Sequence, residues 1–284
     1  MSLLASAIVE SSASAPVVAG TGLLRLVRIG PRTVVQRVFA TSPLKILNPR
    51  TSDRAAWVYS ATYGGGLVGG DAICMTVDME PGARAVLATQ SSTKIYRSAR
   101  LASQHLTACV NDDGLLVVAP DPTVCFARSS FRQRQRYELS QDASVVVIDW
   151  MTSGRRAMGE RWAFDRYDGR LEFWREGRAI LYDSVRLTQD DGPLAERMGR
   201  FNVWATVVLT GPLVAEAAAK LISEIANLPV PPRSDLILSA APLGEDGALL
   251  RMAGISTEQT SVVIRQYLSF LSPHLGGELW SRKW

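Results

Sequence analysis

The sequence is poor in the residues that build metal cages and disulfide frameworks. It contains two histidines, His105 and His274, and three cysteines, Cys74, Cys109 and Cys125, none of which belongs to a CxxC pair. An odd number of cysteines in a long chain disfavours a disulfide framework and predicts a reduced protein. So few histidines exclude a prefabricated zinc or nickel cage.

Long apolar runs are also missing. No unbroken run reaches the ~18 residues that a membrane helix needs, and charged residues interrupt the most apolar helical stretch, 212–229. The first residues lack a basic segment and carry Glu10 within an apolar start, so no signal peptide is expected. These features predict a cytoplasmic protein without membrane association.

Charge of either sign is modest. Lys and Arg number 31 against 27 Asp and Glu, and charged residues make up 20% of the 284 positions. Nucleic-acid binders instead carry a dense basic face with interleaved aromatic residues, so no nucleic-acid partner is expected. Because 47% of the residues are hydrophobic, the chain can bury a sizeable core, and wholesale disorder is excluded.

Short segments rich in Val, Ile, Thr and aromatic residues recur between residues 23 and 209. They follow one another at about 8–12 residues with Gly, Pro, Asn or Asp between them, which is typical of strands. They are 33–39, 56–62, 72–79, 83–90, 105–110, 115–119 and 124–127. Residues 131–139 alternate apolar or amide side chains with charged ones, which predicts a strand with an arginine-bearing face. That face is either solvated or a docking strip for an acidic partner.

Turn motifs, and a change from strand-like to helix-like patterns after Thr210, complete the fold prediction. Three turns are predicted to close hairpins, at 111–114, 167–170 and 176–177. The last part predicts a helix, two strands around a turn, and a second helix that begins after Ser256. The helices are predicted over 212–227 and 257–271, and the strands over 235–240 and 247–252 with the turn at 244–247. Pro273 is expected to end the second helix.

The expected fold is therefore mainly β in the α+β class. We expect a layered or β-helix-like strand platform over 22–209, after a loose N-terminal tail over 1–21. A smaller C-terminal unit with two helices is expected over 210–284, packed on the same core.

The glycine-rich segment 63–71 is the most conspicuous motif. Its glycines are Gly64, Gly65, Gly66, Gly69 and Gly70. They satisfy GxGxxG, but a dinucleotide site needs a helix after the motif, and the residues that follow are strand-like. The run instead predicts a rigid turn whose glycines either adopt positive φ angles, as at Gly66 or Gly69, or let the backbone pack against another segment. A strand after Gly70 would favour a scaffold, and a helix would favour nucleotide binding.

Two further patterns keep an enzyme open as the alternative. Ser91 and Lys94 match the SxxK motif of penicillin-recognising hydrolases, although the SDN and KTG partner motifs are absent. Asp149 and Glu160 are either a general acid/base pair or carboxylates paired with Arg155 or Arg156. A nucleotide-dependent enzyme or a Ser–Lys hydrolase is therefore the rival to a binding protein.

Four blocks taken together resemble the urease accessory protein family called UreD, or UreH in some bacteria. They are 42–45 (Ser-Pro-Leu-Lys), 65–71 (Gly-Gly-Leu-Val-Gly-Gly-Asp), 89–97 and 150–160, in the family's order along 22–284. Matching positions outside the glycine run are Gln90, Lys94, Tyr96, Arg155 and Gly159. The chain departs from the family at its end, where Ser281 precedes residues 282–284 in place of a Pro-Arg-x-Trp ending.

The resemblance implies a non-catalytic chaperone of urease maturation in nitrogen metabolism. Members bind apo-urease and the accessory proteins UreF and UreG, the latter a GTPase, in a hetero-oligomer that inserts nickel. No tightly bound cofactor is implied, but Ni²⁺ could pass transiently through weak, exchangeable oxygen ligands. Asp71 and Glu160 are the candidate ligands, because both follow glycines in the matching blocks. The alternative for each is hydrogen bonding that stiffens a turn.

Overall fold

The computed structural model describes residues 18–281. The tail expected over 1–21 lies mostly outside the described residues, as does the departure at 282–284. Within 18–281, seventeen strands form two sheets. The strands are β1 (Thr21–Ile29), β2 (Arg32–Ala40), β3 (Leu44–Leu47), β4 (Ala56–Thr62), β5 (Ala72–Met79), β6 (Arg84–Thr89), β7 (Lys94–Ile95), β8 (Ala102–Val110), β9 (Leu115–Ala119), β10 (Thr123–Cys125), β11 (Ser130–Leu139), β12 (Ser144–Thr152), β13 (Arg166–Arg175), β14 (Arg178–Thr188), β15 (Val203–Thr210), β16 (Leu236–Leu243) and β17 (Gly247–Gly254).

Helices are few and concentrated near the C-terminal end. They are α1 (Leu194–Arg197), α2 (Ala215–Ala226), α3 (Thr257–Tyr267) and α4 (Ser272–Leu275), with 3₁₀ turns at Arg156–Met158, Gln189–Asp191, Pro212–Val214 and Ser269–Leu271. In the described part of the chain, no helix combines the length and apolar character that crossing a bilayer requires. The prediction of a mainly β protein is confirmed.

The strands form a β-helix-like winding. Sheet A has the order β14-β13-β11-β8-β5-β1-β2, and sheet B runs β16-β17-β15-β12-β9-β6-β4-β3, with β10 paired to β12 and β7 paired to β10. In sheet A, β5, β8, β11 and β13 are parallel neighbours, as are β4, β6, β9 and β12 in sheet B. Since these strands alternate between the sheets along the chain, each coil contributes one strand to each sheet.

Burial explains why the two sheets differ in sequence. All five residues of β9 are buried, because sheet B faces sheet A on one side and the helices on the other. Such strands are continuously apolar, as predicted for 145–148. In sheet A only one face is covered, so β11 alternates strictly between buried and half-buried residues. Apolar cores therefore lie between the sheets and between sheet B and the helices.

Several turn and helix predictions are wrong in instructive ways. The turn at 111–114 closes no hairpin, because it carries the chain from β8 in sheet A to β9 in sheet B. Residues 167–170 lie inside β13, where Gly169 serves packing. The second helix ends at Tyr267, and Pro273 lies in the first turn of α4, a position where its missing N–H costs nothing.

Other local predictions are confirmed. The turns at 176–177 and 244–247 join antiparallel neighbours, and the helix expected from Pro212 appears as a 3₁₀ turn that leads into α2. Ser256 caps α3, since its side chain accepts a hydrogen bond from the backbone N–H of Gln259. The division at residue 210 stays a prediction, and strands from both sides of it share sheet B.

Candidate functional site

The turn over 63–71, which we call the glycine turn, needs glycine for two reasons: positive φ angles at some positions and close backbone contacts at others. Gly64, Gly65 and Gly70 adopt positive φ angles of 83°, 72° and 97°. A positive φ at Gly66 or Gly69 is not found, and the alternative, backbone packed against another segment, is confirmed at both. These two glycines leave room for neighbouring backbone instead: an added Cβ would lie 2.5 Å from the carbonyl oxygen of Lys94 or of Arg100, respectively.

Asp71 closes this turn and precedes a strand. Its Oδ2 accepts a hydrogen bond of 2.9 Å from the backbone N–H of Val68, and its own N–H donates to the carbonyl oxygen of Val68. The next residue, Ala72, begins β5. The helix that a dinucleotide fingerprint requires is therefore replaced by a strand, which favours the scaffold over nucleotide binding.

Tyr96 ties the glycine turn to the second matching block. Leu67 forms a parallel bridge with Ile95, and the backbone N–H of Leu67 donates to the carbonyl oxygen of Lys94 at 2.8 Å. The hydroxyl of Tyr96 donates to the carbonyl oxygen of Gly64 at 3.2 Å. The side chain of Lys94 is exposed beside this bridge, so the block braces the turn through its backbone and its tyrosine.

The third block joins the same assembly through Phe126. The ring of Phe126 packs edge-on against Tyr96, with centroids 5.2 Å apart, and the guanidinium of Arg155 lies 4.0 Å from its centroid. Gly159, with a φ of 76°, ends the 3₁₀ turn that leads to Glu160. Blocks far apart in sequence are thus one connected structure.

Glu160 is fully engaged by these neighbours. Its Oε2 accepts hydrogen bonds from Arg155 Nε at 3.0 Å and from the backbone N–H of Ala127 at 3.1 Å, while Oε1 accepts from Arg155 Nη2. The Arg155 hydrogen bond holds the pKa of Glu160 below its ordinary value. Glu160 therefore braces this turn as a charged partner of Arg155.

Gln90 and Ser91 lie at the mouth of a cleft of about 600 Å³. The backbone N–H of Gln90 donates to the carbonyl oxygen of Ser60 at 2.9 Å, which fixes the segment against β4. Within residues 18–281, no hydrogen bond joins Ser91 to Lys94. The geometry that a Ser–Lys nucleophile needs is therefore lacking.

A row of polar side chains, which the sequence analysis did not assemble, crosses the interior between the sheets. In sheet B, Ser60 pairs with Thr89, and Asp149 pairs with Thr206, which pairs with Arg251. In sheet A, Gln104 pairs with Gln133 and Gln133 with Gly169. We name the polar layer by its members: Ser60, Thr89, Asp149 and Thr206 of sheet B with Gln104, Gln133 and Asp183 of sheet A. The exposed Arg251 lies at the surface end of this layer and pairs with Asp183.

Apolar clusters border the polar layer on both sides. Along β11, Phe131 belongs to one cluster and Tyr137 to the other, with Gln133 and Gln135 between them. The only signal in the sequence is these two glutamines at inward positions of an alternating strand. Their partners on other strands can be identified only from the register.

Three cavities follow the polar layer one after another. The first is the cleft beneath the glycine turn, where Gly65, Gln90 and Gln104 contribute to the wall. The second, of about 600 Å³, shares Gln104 with the first and extends to Gln133 and Asp149. The third, of about 330 Å³, shares Asp149 with the second and reaches Asp183 near the edge of sheet A.

Asp149 is the unusual group on this route. Its Oδ1 accepts a hydrogen bond of 3.0 Å from Gln133 Nε2, and in the described chain no ion pair involves its carboxylate. Burial raises the pKa of Asp149 to about 6. The hydrogen bond from Gln133 lowers this pKa, and the negative charge of Asp183 raises it further. It nevertheless keeps accessible surface, because two of the cavities lie against it.

The amide of Gln133 is positioned by a tyrosine. The hydroxyl of Tyr167 donates to Gln133 Oε1 at 3.5 Å, and Gly169 makes room for that ring, since a Cβ there would lie 2.7 Å from the hydroxyl. Burial, with the nearby Asp149, raises the pKa of Tyr167 well above its ordinary value. Tyr167 therefore remains a neutral donor, and Gln133 presents its N–H to Asp149.

The walls of the three cavities combine polar, apolar and charged side chains. Hydroxyl and amide groups stand in the walls among apolar side chains and the two arginines Arg134 and Arg170, and Asp149 is the carboxylate that the second and third cavities share. Within the described residues, no group of three or more His, Cys, Asp or Glu is arranged to hold a metal ion. Such donors offer weak and exchangeable contacts to a divalent ion.

Comparison with known proteins identifies the relatives of this chain. The family model described as UreD urease accessory protein matches residues 19–284. The urease accessory protein UreD of Sorangium cellulosum is 47% identical over 269 residues, which cover 94% of this chain and 85% of that protein. The UreD of an Anaeromyxobacter strain is 41% identical, with 93% and 89% covered, and urease accessory protein D of Arabidopsis thaliana is 34% identical, with 90% and 98% covered.

A substitution in the glycine turn tests the steric demand. Gly69→Val should lower the free energy of unfolding by about 1–3 kcal/mol, because the new side chain overlaps Ser98 and the carbonyl of Arg100. Gly64→Asn is the matched control, since Gly64 has open space and asparagine tolerates its positive φ. Chemical denaturation measures both. Equal stability of Gly69→Val and the wild type would contradict the packing role.

The raised pKa of Asp149 predicts that the free energy of unfolding depends on pH. Between about pH 4 and pH 6 the native state binds more protons at this site than the unfolded state, so ionisation destabilises the fold as pH rises. Asp149→Asn should therefore be more stable than the wild type at pH 8, on the order of 2–3 kcal/mol, and the difference should shrink towards pH 4. Denaturation midpoints across that range measure it, and a difference independent of pH would refute the assignment.

Proposed function

The chain belongs to the UreD family of urease accessory proteins, and on this premise we propose that it is a non-catalytic scaffold for nickel insertion into apo-urease. Membership of the family gives it a role in urease maturation. The proposal adds that the chain joins apo-urease to UreF and UreG in a hetero-oligomer in the cytoplasm, and that Ni²⁺ is cargo in transit.

Two features support a scaffold over the enzyme alternatives. The glycine turn continues into β5, and this arrangement lacks the helix N-terminus that would hold a pyrophosphate. Ser91 lies on the wall of a cleft without a hydrogen bond to Lys94 in the described chain. Nucleotide chemistry is accordingly assigned to the GTPase partner UreG.

The polar layer and its three cavities are the observation that carries the nickel proposal. They extend from the glycine turn, past Gln133 and Asp149, to Asp183. A cation that enters such a route exchanges water for hydroxyl and amide oxygens, and can leave because no tight cage retains it. Cavities lined by several polar groups also have room for water, which would keep the ion partly hydrated.

Asp149 supplies the anionic oxygen on this route. A buried carboxylate without a cation partner opposes folding, and perturbed groups of this kind cluster at functional sites. A divalent ion beside it reverses the local electrostatics and favours the ionised form. While Ni²⁺ is in contact with Asp149, its charge would therefore offset the free-energy cost of burying the ionised carboxylate, the cost that raises the pKa of Asp149.

Asp71 and Glu160 enter this proposal as braces of their turns, and neither lines any of the three cavities. Asp71 accepts the Val68 N–H, and Glu160 is held by Arg155 and Ala127. Either carboxylate would have to give up these hydrogen bonds to contact nickel. Both remain candidate ligands that the experiment below separates from Asp149.

Deletion of the gene tests the proposal as a whole. We expect urease protein to be present but nickel-free and inactive in the deletion strain. Metal analysis of urease purified from that strain is the measurement, with a complemented strain as control. Nickel-loaded, active urease in the deletion strain would remove the scaffold function.

Substitution of single carboxylates tests the route. Asp149→Asn, co-expressed with urease and the accessory proteins, should fold, join the complex in a pull-down, and reduce nickel per urease active site several-fold, because an amide oxygen is a poorer ligand for a divalent ion. The matched control is Asp71→Asn with Glu160→Gln, which should keep nickel loading wherever the complex forms. Normal loading by Asp149→Asn would refute the route, and nickel loss in the control with an intact complex would assign metal contact to Asp71 and Glu160.

A further inference from the structure

Among residues 18–281, no helix packs on the outer face of sheet A, in contrast to sheet B. Helices α2, α3 and α4 pack against β15, β16, β17 and β6, all strands of sheet B. On the outer side of sheet A, the residues of β11 that alternate with its buried ones remain half-buried, and the side chain of Arg132 is 40% exposed. This face is therefore available to a partner.

Arginines dominate the part of this face formed by β11, β13 and β14. We call the following set the outer arginine face: Arg132, Arg134, Arg136, Arg166, Arg170 and Arg186. The register places them side by side, because Arg132 pairs with Asp168 and Asp168 with Arg186, while Arg134 pairs with Arg170. The set therefore forms a grid across three adjacent strands.

The carboxylates of this region do not neutralise the grid. Five of the six arginines, all except Arg186, form ion pairs with only three acids, Glu138, Asp168 and Glu172. Asp168 alone has three of them within 3.5 Å, and despite its burial their charges and hydrogen bonds hold its pKa below the ordinary value. The face thus keeps a positive surplus at every physiological pH.

Aromatic residues hold part of the grid in place. The guanidinium of Arg136 lies 4.5 Å from the ring centroid of Trp174, and that of Arg170 lies 5.0 Å from that of Tyr182. Stacked guanidinium groups lose less conformational freedom when they form hydrogen bonds with an incoming carboxylate. The grid is therefore organised before binding.

The interleaved acids favour a protein over a nucleic acid as the occupant. A phosphate backbone is uniformly negative and would be repelled where Asp168 and Glu172 stand among the arginines. A protein surface can place carboxylates against the arginines and neutral or basic groups against these acids. Charge complementarity therefore points to a protein surface of mixed sign with an excess of carboxylates.

We propose that the outer arginine face docks a carboxylate-rich surface of a protein partner. The inference rests on the proposed function, which supplies the partners: apo-urease, UreF and UreG. It assigns a further role to the outer side of sheet A, of which Arg134 and Arg170 also line the second and third cavities.

The test removes two positive charges without removing support for the fold. Arg132→Gln with Arg186→Gln takes away the arginines on either side of Asp168 but leaves Arg134 and Arg166 to pair with it. The matched control, Lys220→Gln with Arg233→Gln, removes the same charge from α2 and from an exposed loop. A third variant, Arg132→Lys with Arg186→Lys, keeps the charge. Thermal melting shows which variants fold.

Binding of each full-length variant to purified apo-urease, UreF and UreG is then measured, with a short DNA duplex as the nucleic-acid probe. At about 0.1 M salt, the glutamine variant should bind at least one protein about tenfold more weakly than the wild type, and the difference should shrink at about 1 M salt. The control and lysine variants should bind like the wild type.

Three outcomes would overturn the inference. Unchanged binding of every protein by the glutamine variant would overturn it while leaving the proposed function intact. Loss of DNA binding alone would reassign the face to nucleic acid. Failure of the wild type to bind any of the three proteins would remove the proposed function and this inference together. If the glutamine variant does not fold, two other variants decide. Wild-type affinity of the lysine variant supports docking by charge. Wild-type affinity of a folded charge-reversed variant, Arg132→Glu with Arg186→Glu, refutes it.

Discussion

In-register pairing of successive coils is the constraint on which the interior and the exterior of this molecule depend. Each coil adds one strand to each sheet, so equivalent positions of successive strands lie side by side, as Gln104 does beside Gln133. A shift of one residue would move every such side chain to the opposite face. The polar layer exists because polar residues occupy matched positions, and it persists only while the register holds.

Asp149 is a place where stability and function diverge. Between two apolar clusters, an ionised carboxylate with a single amide hydrogen bond opposes folding, and burial raises its pKa accordingly. Packing therefore gives no reason for a carboxylate there. The proposed route for a divalent cation would give one, because the ion would bring positive charge to a carboxylate that forms no ion pair within the described residues. In contrast, Arg155 pairs with Glu160 and stabilises its ionised form.

The sequence predicts the parts of this structure that depend on local chemistry. Strand β9 and the cap at Ser256 follow from residue type and spacing, and so does the strand after Gly70. The turn at 111–114 was mistaken for a hairpin because a turn motif does not say which sheet the chain enters next. Gly169 was mistaken for a turn residue because the ring it accommodates, Tyr167, is recognised only once both lie on β13. The polar layer depends on the register between strands that are far apart in the chain, and this register cannot be read from the residue pattern of a single sequence.

Strand β11 connects the two proposed surfaces. Its odd residues include Gln133 and Gln135 on the interior route, and its even residues include Arg132 and Arg136 on the outer arginine face. Arg134 reaches both, since it lines the second cavity and donates to the backbone carbonyl oxygens of Gln133 and Asp168. A partner that binds the outer face therefore lies one strand's thickness from Gln133, whose amide holds Asp149. The backbone of β11 is fixed on both sides by its parallel neighbours β8 and β13, so the sheet itself sets the spacing between the outward arginines and the inward amides.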